Sequence, residues 1–180
     1  MARLRPARTC RYPNSQAWAR YSLRKPKKNY VRALPHTSLQ VFRTGVNSDA
    51  YDMEVTLDTL ERIQLRSNSI EAARIVANKL LEANIPNQYC FIVRVYPHNV
   101  IREHKMATGA GADRISQGMK VNAFGRPVSI AARMGANQPV FMIRTSSSNR
   151  KLAFQAMKRA KSKLSGSYKI NARGVAAAAS

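Results

Sequence analysis

The clearest candidate for chemistry is a glycine-rich stretch, Gly109-Ala-Gly111-Ala-Asp113-Arg114. Nucleotide-binding loops use glycines so that backbone N–H groups can approach phosphate oxygens. Here Arg114 occupies the place of the third glycine of a dinucleotide fingerprint, and no helical pattern follows it. The chain also lacks any Gly-Lys-Ser or Gly-Lys-Thr sequence, so a phosphate loop of the ATPase type is excluded. We therefore expect no nucleotide cofactor.

Cysteine and histidine residues form no recognisable catalytic or metal-binding pattern. Cys10 and Cys90 lack the spacing of metal ligands, and we interpret them as free thiols in a reducing cytoplasm. His98 and His104 flank a candidate strand without a partner cysteine or a cluster of carboxylates. The serines of 146–148 are typical of a turn that starts a helix rather than of a nucleophile. The sequence therefore predicts a protein that binds no metal and is not an enzyme.

The distribution of charge is the strongest functional signal in the chain. The net charge is +22, yet all nine acidic residues lie between Asp49 and Asp113. The first 48 residues contain eleven Lys or Arg and no acid, and the segment from Arg114 onward contains thirteen and no acid. Such regions repel themselves unless a polyanion neutralises them, so a nucleic acid is the expected partner. Five acids are close in sequence, and we expect them on a solvated face turned away from the polyanion: Asp49, Asp52, Glu54, Asp58 and Glu61.

Hydrophobic periodicity predicts two helices that position these charges. Asn68–Asn84 has an apolar stripe at helical spacing, and Asn68 followed by Glu71 has the spacing of an N-terminal capping box. Asn149–Leu164 has a stripe made mostly of alanines, which lets a helix lie close to a sheet. The opposite side of this second helix is basic, and no acid lies near enough for an i,i+4 pair. That side is either simply solvated or in contact with phosphates, and it carries Lys151, Lys158, Arg159 and Lys161.

Alternating apolar residues predict the strands. We expect a strand at 38–42, one or two strands within 52–65, and further strands at 90–96, 99–104, 128–134, 138–145 and 168–170. The residues Gly135–Asn137 predict a turn that joins two of these strands as a hairpin. Together the elements predict an α+β two-layer sandwich, with two helices packed on one mostly antiparallel sheet. The predicted domain covers 37–172, followed by a frayed tail at 173–180.

Residues 1–36 predict an extended basic arm. Prolines interrupt regular structure, and aromatic residues between the cations could stack on bases or pack onto the domain. His36 closes the arm, where we expect it to be exposed or stacked on RNA. The cations of the arm that we expect to bind RNA are Arg3, Arg5, Arg8, Arg11, Arg20, Arg24, Lys25, Lys27, Lys28 and Arg32.

Residues 105–127 predict a long internal loop, because they contain four glycines and few large apolar side chains. Loops of this length inside a domain are uncommon and are usually functional. Its glycines could simply allow unusual backbone angles, or the loop could reach into RNA with Arg114, Lys120 and Arg126 on phosphates.

The sequence contains no sign of a membrane span or a secretion signal. No apolar run approaches the roughly 18 residues that cross a bilayer. The basic, nearly acid-free beginning of the chain also fits a transit peptide, but we favour an RNA-binding arm because the basic bias returns at the other end.

Several motifs, in the same order, resemble one known family. They include Ser69 to Lys79, Phe91 to Arg102 and Lys105 to Met119, with Ala-Phe-Gly-Arg-Pro at 123–127 and Ala156 to Lys161 further on. Together they are similar to the large-subunit ribosomal protein family called L-ten-e in archaea and eukaryotes, the counterpart of bacterial L-sixteen. The resemblance spans about 6–170, and the loop is of the archaeal or eukaryotic type.

The resemblance implies an α+β sandwich, monomeric within the cytoplasmic ribosome and bound to large-subunit ribosomal RNA among neighbouring ribosomal proteins. It implies a position beside the A-site tRNA, near the peptidyl transferase centre and the 5S RNA region. The loop of the family points toward tRNA, a role that maps here to Lys105, Arg114, Gly118, Met119, Lys120 and Arg126. Two alternatives remain open at this stage: a ribosome-assembly or other RNA-binding factor absent from mature particles, and an RNA-modifying enzyme.

Overall fold

The computed structural model describes residues 6–12, 34–48, 50–103 and 126–174. Within these residues there are two α-helices, α1 (Ser67–Asn84) and α2 (Arg150–Lys161), and two short 3-10 helices, Ala7–Cys10 and Ser147–Asn149. The strands are β1 (Arg43–Gly45), β2 (Met53–Thr59), β3 (Ile63–Arg66), β4 (Tyr89–Val93), β5 (Asn99–Glu103), β6 (Arg126–Met134), β7 (Pro139–Thr145) and β8 (Tyr168–Gly174).

The strands form two sheets. One has five strands in the order β1-β4-β7-β2-β8, and the other has three in the order β3-β6-β5. Every ladder between the described strands is antiparallel. The α+β class is confirmed, but the expectation of one sheet was wrong. The alternating stretch 52–65 is two strands, and the chain passes from the larger sheet to the smaller one between them.

The predicted hairpin at Gly135–Asn137 was also wrong, because β6 and β7 belong to different sheets. The turn is shaped by the end of β2 instead. The Thr59 hydroxyl donates to the Gly135 carbonyl at 2.7 Å, and the Asn137 N–H donates to the Thr59 carbonyl at 2.7 Å. Asn137 has φ 59°, in the left-handed region that asparagine tolerates. Sequence signals of a turn do not reveal which strands that turn pairs.

The first strand lies at Arg43–Gly45 rather than at 38–42. Leu39 is fully buried, and its backbone N–H donates to the Thr37 hydroxyl at 3.1 Å. The residues before β1 therefore anchor the chain in the core instead of extending the sheet. Gly45 has φ 90°, and a Cβ there would overlap the Tyr89 carbonyl oxygen, so the strand requires glycine at this point.

The helices pack against each other and cover the apolar side of the sheets. On α1 the predicted stripe is buried, including Ile70, Ala73 and Leu81. The predicted capping box was wrong, because α1 begins earlier, with Arg66 in the N-cap position. Glu71 instead accepts two hydrogen bonds from the Arg74 guanidinium, at 2.6 and 2.9 Å.

The alanine stripe of α2 is buried as predicted, with Ala153, Ala156 and Ala160 fully buried. The 3-10 turn Ser147–Asn149 precedes the helix, which confirms the interpretation of these serines as a helix start. The helix ends at Lys161, a few residues before the predicted end. Gly166 (φ 104°) then lies against Ile63 and turns the chain into β8, which pairs with β2 as an edge strand through Gly174.

Candidate nucleic-acid interface

The acids on and next to β2 are held by specific partners, so they are not merely a solvated face. The Ser147 N–H donates to Asp52 at 2.7 Å, Glu54 pairs with Arg144 at 3.4 Å, and Asp58 accepts from the Asn171 amide. The hydrogen bond from Ser147 lowers the pKa of Asp52 below its usual value. Each of these carboxylates is thus used to join two parts of the fold. Asp49 lies outside the described residues.

Glu61 joins three segments. It accepts from the Arg11 guanidinium at 2.5 Å and from the Ser167 backbone N–H at 2.9 Å. The hydrogen bond with Arg11 is the main reason why the pKa of Glu61 is lowered and that of Arg11 is raised. Arg11, one of the predicted RNA contacts, therefore already has an acidic partner within the protein.

The described part of the predicted arm packs on the smaller sheet. The Gln64 side chain is 2% exposed and donates to the Cys10 carbonyl at 3.0 Å, while its backbone N–H donates to the Arg11 carbonyl at 2.7 Å. The buried Asn99 amide donates in turn to Gln64. This chain of hydrogen bonds fixes 10–11 against β3 and β5, and Arg8 remains exposed nearby.

Both cysteines are free thiols, as predicted, and both are buried. Burial raises the pKa of Cys10 and of Cys90 above the usual value. The Cys10 thiol donates weakly to the Ala7 carbonyl at 3.4 Å, within the short 3-10 helix. Because the thiolate is disfavoured at both positions, these residues behave as small apolar side chains.

The outer side of α2 carries a cluster of cations without an acidic partner. The four predicted contacts of this helix are exposed, and no ion pair in the described ranges involves them: Lys151, Lys158, Arg159 and Lys161. The last three lie in the final turn, where the helix dipole favours cations. Lys151 and its neighbour Arg150 lie in the first turn, where the dipole disfavours them and no acid offsets it.

The cations of β8 provide a contrast with those of α2. Lys169 and Arg173 are exposed, but they lie directly across the strand pair from Asp58 and Glu54. Opposite charges at such positions attract each other. The helix α2 therefore presents five cations and no acid, hereafter called the α2 cation surface: Arg150, Lys151, Lys158, Arg159 and Lys161.

The predicted loop emerges from a paired stem. Glu103, the last residue of β5, lies opposite Arg126, the first residue of β6, so the two ends of 104–125 start from adjacent strands. The register shifts between Ile101 and Arg102, a bulge that places Pro127 in the ladder. The other loop residues lie outside the described residues: Lys105, Arg114, Gly118, Met119 and Lys120. So do His104 and the remaining arm cations, Arg3, Arg5, Arg20, Arg24, Lys25, Lys27, Lys28 and Arg32.

Sequence reasoning missed a group of rings beside β4. The predicted strand 90–96 ends at Val93, and the segment that follows leaves Tyr96 and His98 exposed. Their alternation with buried Val95 and Pro97 was visible in the sequence, but polar and aromatic residues in a strand pattern do not disclose which side faces the core.

Among the described residues there is no group of three or more side chains that could hold a metal ion. No helix of that same part is both long and apolar enough to cross a membrane.

Comparisons with known proteins agree on one family. The family model "Ribosomal protein L16p/L10e" matches residues 18–171. The chain is 37% identical over 157 residues to the large ribosomal subunit protein uL16 of Archaeoglobus fulgidus, covering 87% of this chain and 90% of the relative. It is 39% identical over 168 residues to that of Methanococcus aeolicus, covering 93% and 92%. It is 42% identical over 145 residues to that of Picrophilus torridus, covering 80% and 82%. The chain therefore belongs to the ribosomal protein L16p/L10e family.

Proposed function

We propose that this protein is a structural, non-catalytic constituent of the large ribosomal subunit that binds large-subunit ribosomal RNA. Relatives that match most of the chain carry the name of a large-subunit protein. The main structural observation in support of RNA binding is the α2 cation surface. Among the described residues, the acids on and next to β2 and those of α1 have polar partners inside the protein, whereas no cation of α2 forms an ion pair.

The phosphate groups of RNA would supply the negative charge that the α2 cation surface lacks within the protein. Cations that lie close together on one helix repel each other, and a phosphate backbone relieves that repulsion. Binding also releases the counterions condensed on the RNA, so affinity falls steeply as salt rises. We assign the same role to the cations of the arm at 1–36 other than Arg11, which pairs with Glu61.

The loop supplies the finer part of the proposal. We place 105–127 beside the A-site tRNA, near the peptidyl transferase centre and the 5S RNA region, among neighbouring ribosomal proteins. The pairing of β5 with β6 supports this proposal. The two strands are paired up to Glu103 and Arg126, so both ends of the loop start from a fixed point of the smaller sheet. On this view the chemistry of peptide transfer belongs to RNA, and the loop limits the freedom of the incoming tRNA end.

Sedimentation of native extract through a gradient at raised salt tests the function. One copy of this chain per large subunit, in polysomes as well as in free subunits, is the expected result. Presence only in immature particles would favour an assembly factor instead. Recovery at the top of the gradient at low salt as well would contradict ribosome binding altogether.

A further inference from the structure

The extended segment 94–98, which links β4 to β5, presents aromatic rings to solvent. Its side chains alternate, with Val95 and Pro97 buried and with Arg94, Tyr96 and His98 exposed. Tyr96 leaves 49% of its surface accessible. Aromatic surface of this extent costs free energy in water, so an exposed ring that other rings hold in place points to a partner.

Three rings form what we call the aromatic column: Phe42, Tyr96 and His98. Phe42 and Tyr96 are stacked, with centroids 5.5 Å apart and planes 18° apart. The Tyr96 and His98 centroids are 4.5 Å apart, with planes tilted by 42°. Phe42 is half-buried and packs against the hydrophobic core. The column thus extends from the core to the solvent, and Tyr96 and His98 form its outer end.

Backbone hydrogen bonds hold the column in place. The Val93 N–H donates to the Phe42 carbonyl at 2.8 Å, and the Arg94 N–H donates to the Val140 carbonyl at 2.9 Å. The segment is therefore fixed where it leaves β4, with the last residue of β4 bonded to Phe42 and with Arg94 bonded to β7. A surface that is ordered before binding loses less entropy when a ligand arrives.

The charges beside the column distinguish between possible partners. Arg94 shares the exposed side of the segment, and Arg43 is exposed next to Phe42. Neither guanidinium forms an ion pair with another described residue. An apolar protein surface would have to desolvate these charges without compensation. A nucleotide supplies both a flat base for the rings and a phosphate for the cations.

We propose that the outer end of the aromatic column takes an unpaired RNA base by stacking on Tyr96 and His98, with Arg94 on the adjoining phosphate. The proposal rests on the proposed function, because it requires that the protein binds ribosomal RNA. It adds a contact made by ring surfaces, which is distinct from the charge contacts of the α2 cation surface.

Affinity for a large-subunit RNA fragment, measured with the full chain over a series of salt concentrations, tests the proposal. Tyr96→Leu removes the ring but keeps apolar bulk, and we expect it to weaken binding about fivefold to a hundredfold at every salt concentration. The slope of log K against log salt should stay unchanged, because a stacked ring displaces no counterions. Tyr96→Phe keeps the ring and should bind like the unsubstituted protein. Ile75→Ala, at an exposed apolar residue on α1, is the matched control.

A second measurement needs no substitution. Ultraviolet cross-linking of the unsubstituted complex should attach one nucleotide to Tyr96 or His98, which mass spectrometry of the peptide identifies. Equal RNA affinity of Tyr96→Leu and the unsubstituted protein would overturn the stacking site and leave the proposed function intact. A cross-link from Tyr96 to another protein would overturn it in favour of a protein partner. Failure of the unsubstituted protein to bind RNA would overturn both proposals.

Discussion

The two helices share one core yet differ in the charge that they present. Both bury alanines, Ala73 and Ala77 on α1, Ala153 and Ala156 on α2. On its outer side α1 has two acids and two bases, whereas α2 has five bases and no acid. Packing against the core constrains only the buried side of a helix. The outer sides are therefore free to differ, and under the proposed function the difference assigns RNA binding to α2 rather than to α1.

The largest expected effect comes from removing charge on α2. The triple variant Lys158→Gln, Arg159→Gln and Lys161→Gln should weaken binding to large-subunit RNA by at least about tenfold at moderate salt. It should reduce the slope of log K against log salt by about 2 to 3, since each lost phosphate contact removes roughly 0.7 to 0.9. Filter binding over a salt series measures both quantities.

The exposed Lys79 of α1 provides the matched control. Lys79→Gln removes one charge from an otherwise similar helix surface, and it should leave the slope nearly unchanged. If Lys79→Gln and the single variant Lys158→Gln reduced the slope equally, net charge alone would explain binding, and the distinction between the two helices would be lost.

The next prediction concerns the buried sides of the two helices, which are alike. Ala156→Leu and Ala77→Leu each insert a large side chain at a position with no exposed surface. Overpacking of this kind typically costs about 1–3 kcal/mol, and we expect similar losses of unfolding free energy for both. Denaturant unfolding of the two variants measures this. A loss at only one of the two positions would show that the helices do not contribute equally to the core.

A smaller effect separates paired from unpaired cations. Arg11 is held by Glu61, so Arg11→Gln should reduce stability by about 0.2–1 kcal/mol, as for other partly exposed ion pairs, and change RNA affinity little. Lys158→Gln should leave stability nearly unchanged and weaken RNA binding. Thermal unfolding measures the stability of both variants, and RNA binding measures their affinities. A large loss of affinity for Arg11→Gln with unchanged stability would restore Arg11 as an RNA contact.

Local patterns in the sequence predicted the buried side of each element well, and they failed where the answer depended on distant residues. The alanine stripe of α2 and the paired ends of the loop follow from periodicity near each position. The turn at Gly135–Asn137 was misassigned because its geometry is fixed by Thr59, far away in the chain. The partners of Glu61 and the column on Phe42 are also long-range contacts, which no periodic pattern encodes. The α2 cation surface was predictable because like charges without nearby acids are visible in the sequence itself.

The smallest expected effect concerns pH and the acids that have partners. The pKa of Glu61 is lowered in the folded state, chiefly by the hydrogen bond from Arg11. Its contribution to stability should therefore be complete above the pKa of the unfolded chain, about 4.3, and should be lost as pH falls through the lower folded value. Unfolding free energy measured from pH 7 to pH 2.5 should fall less steeply for Glu61→Gln than for the unsubstituted protein. Lys158→Gln is the control, because it removes a cation that has no acidic partner in the described structure, and its profile should stay parallel to that of the unsubstituted protein. A steep acid dependence that survives in Glu61→Gln would assign the acid sensitivity to other carboxylates, such as Asp52, whose pKa is also lowered.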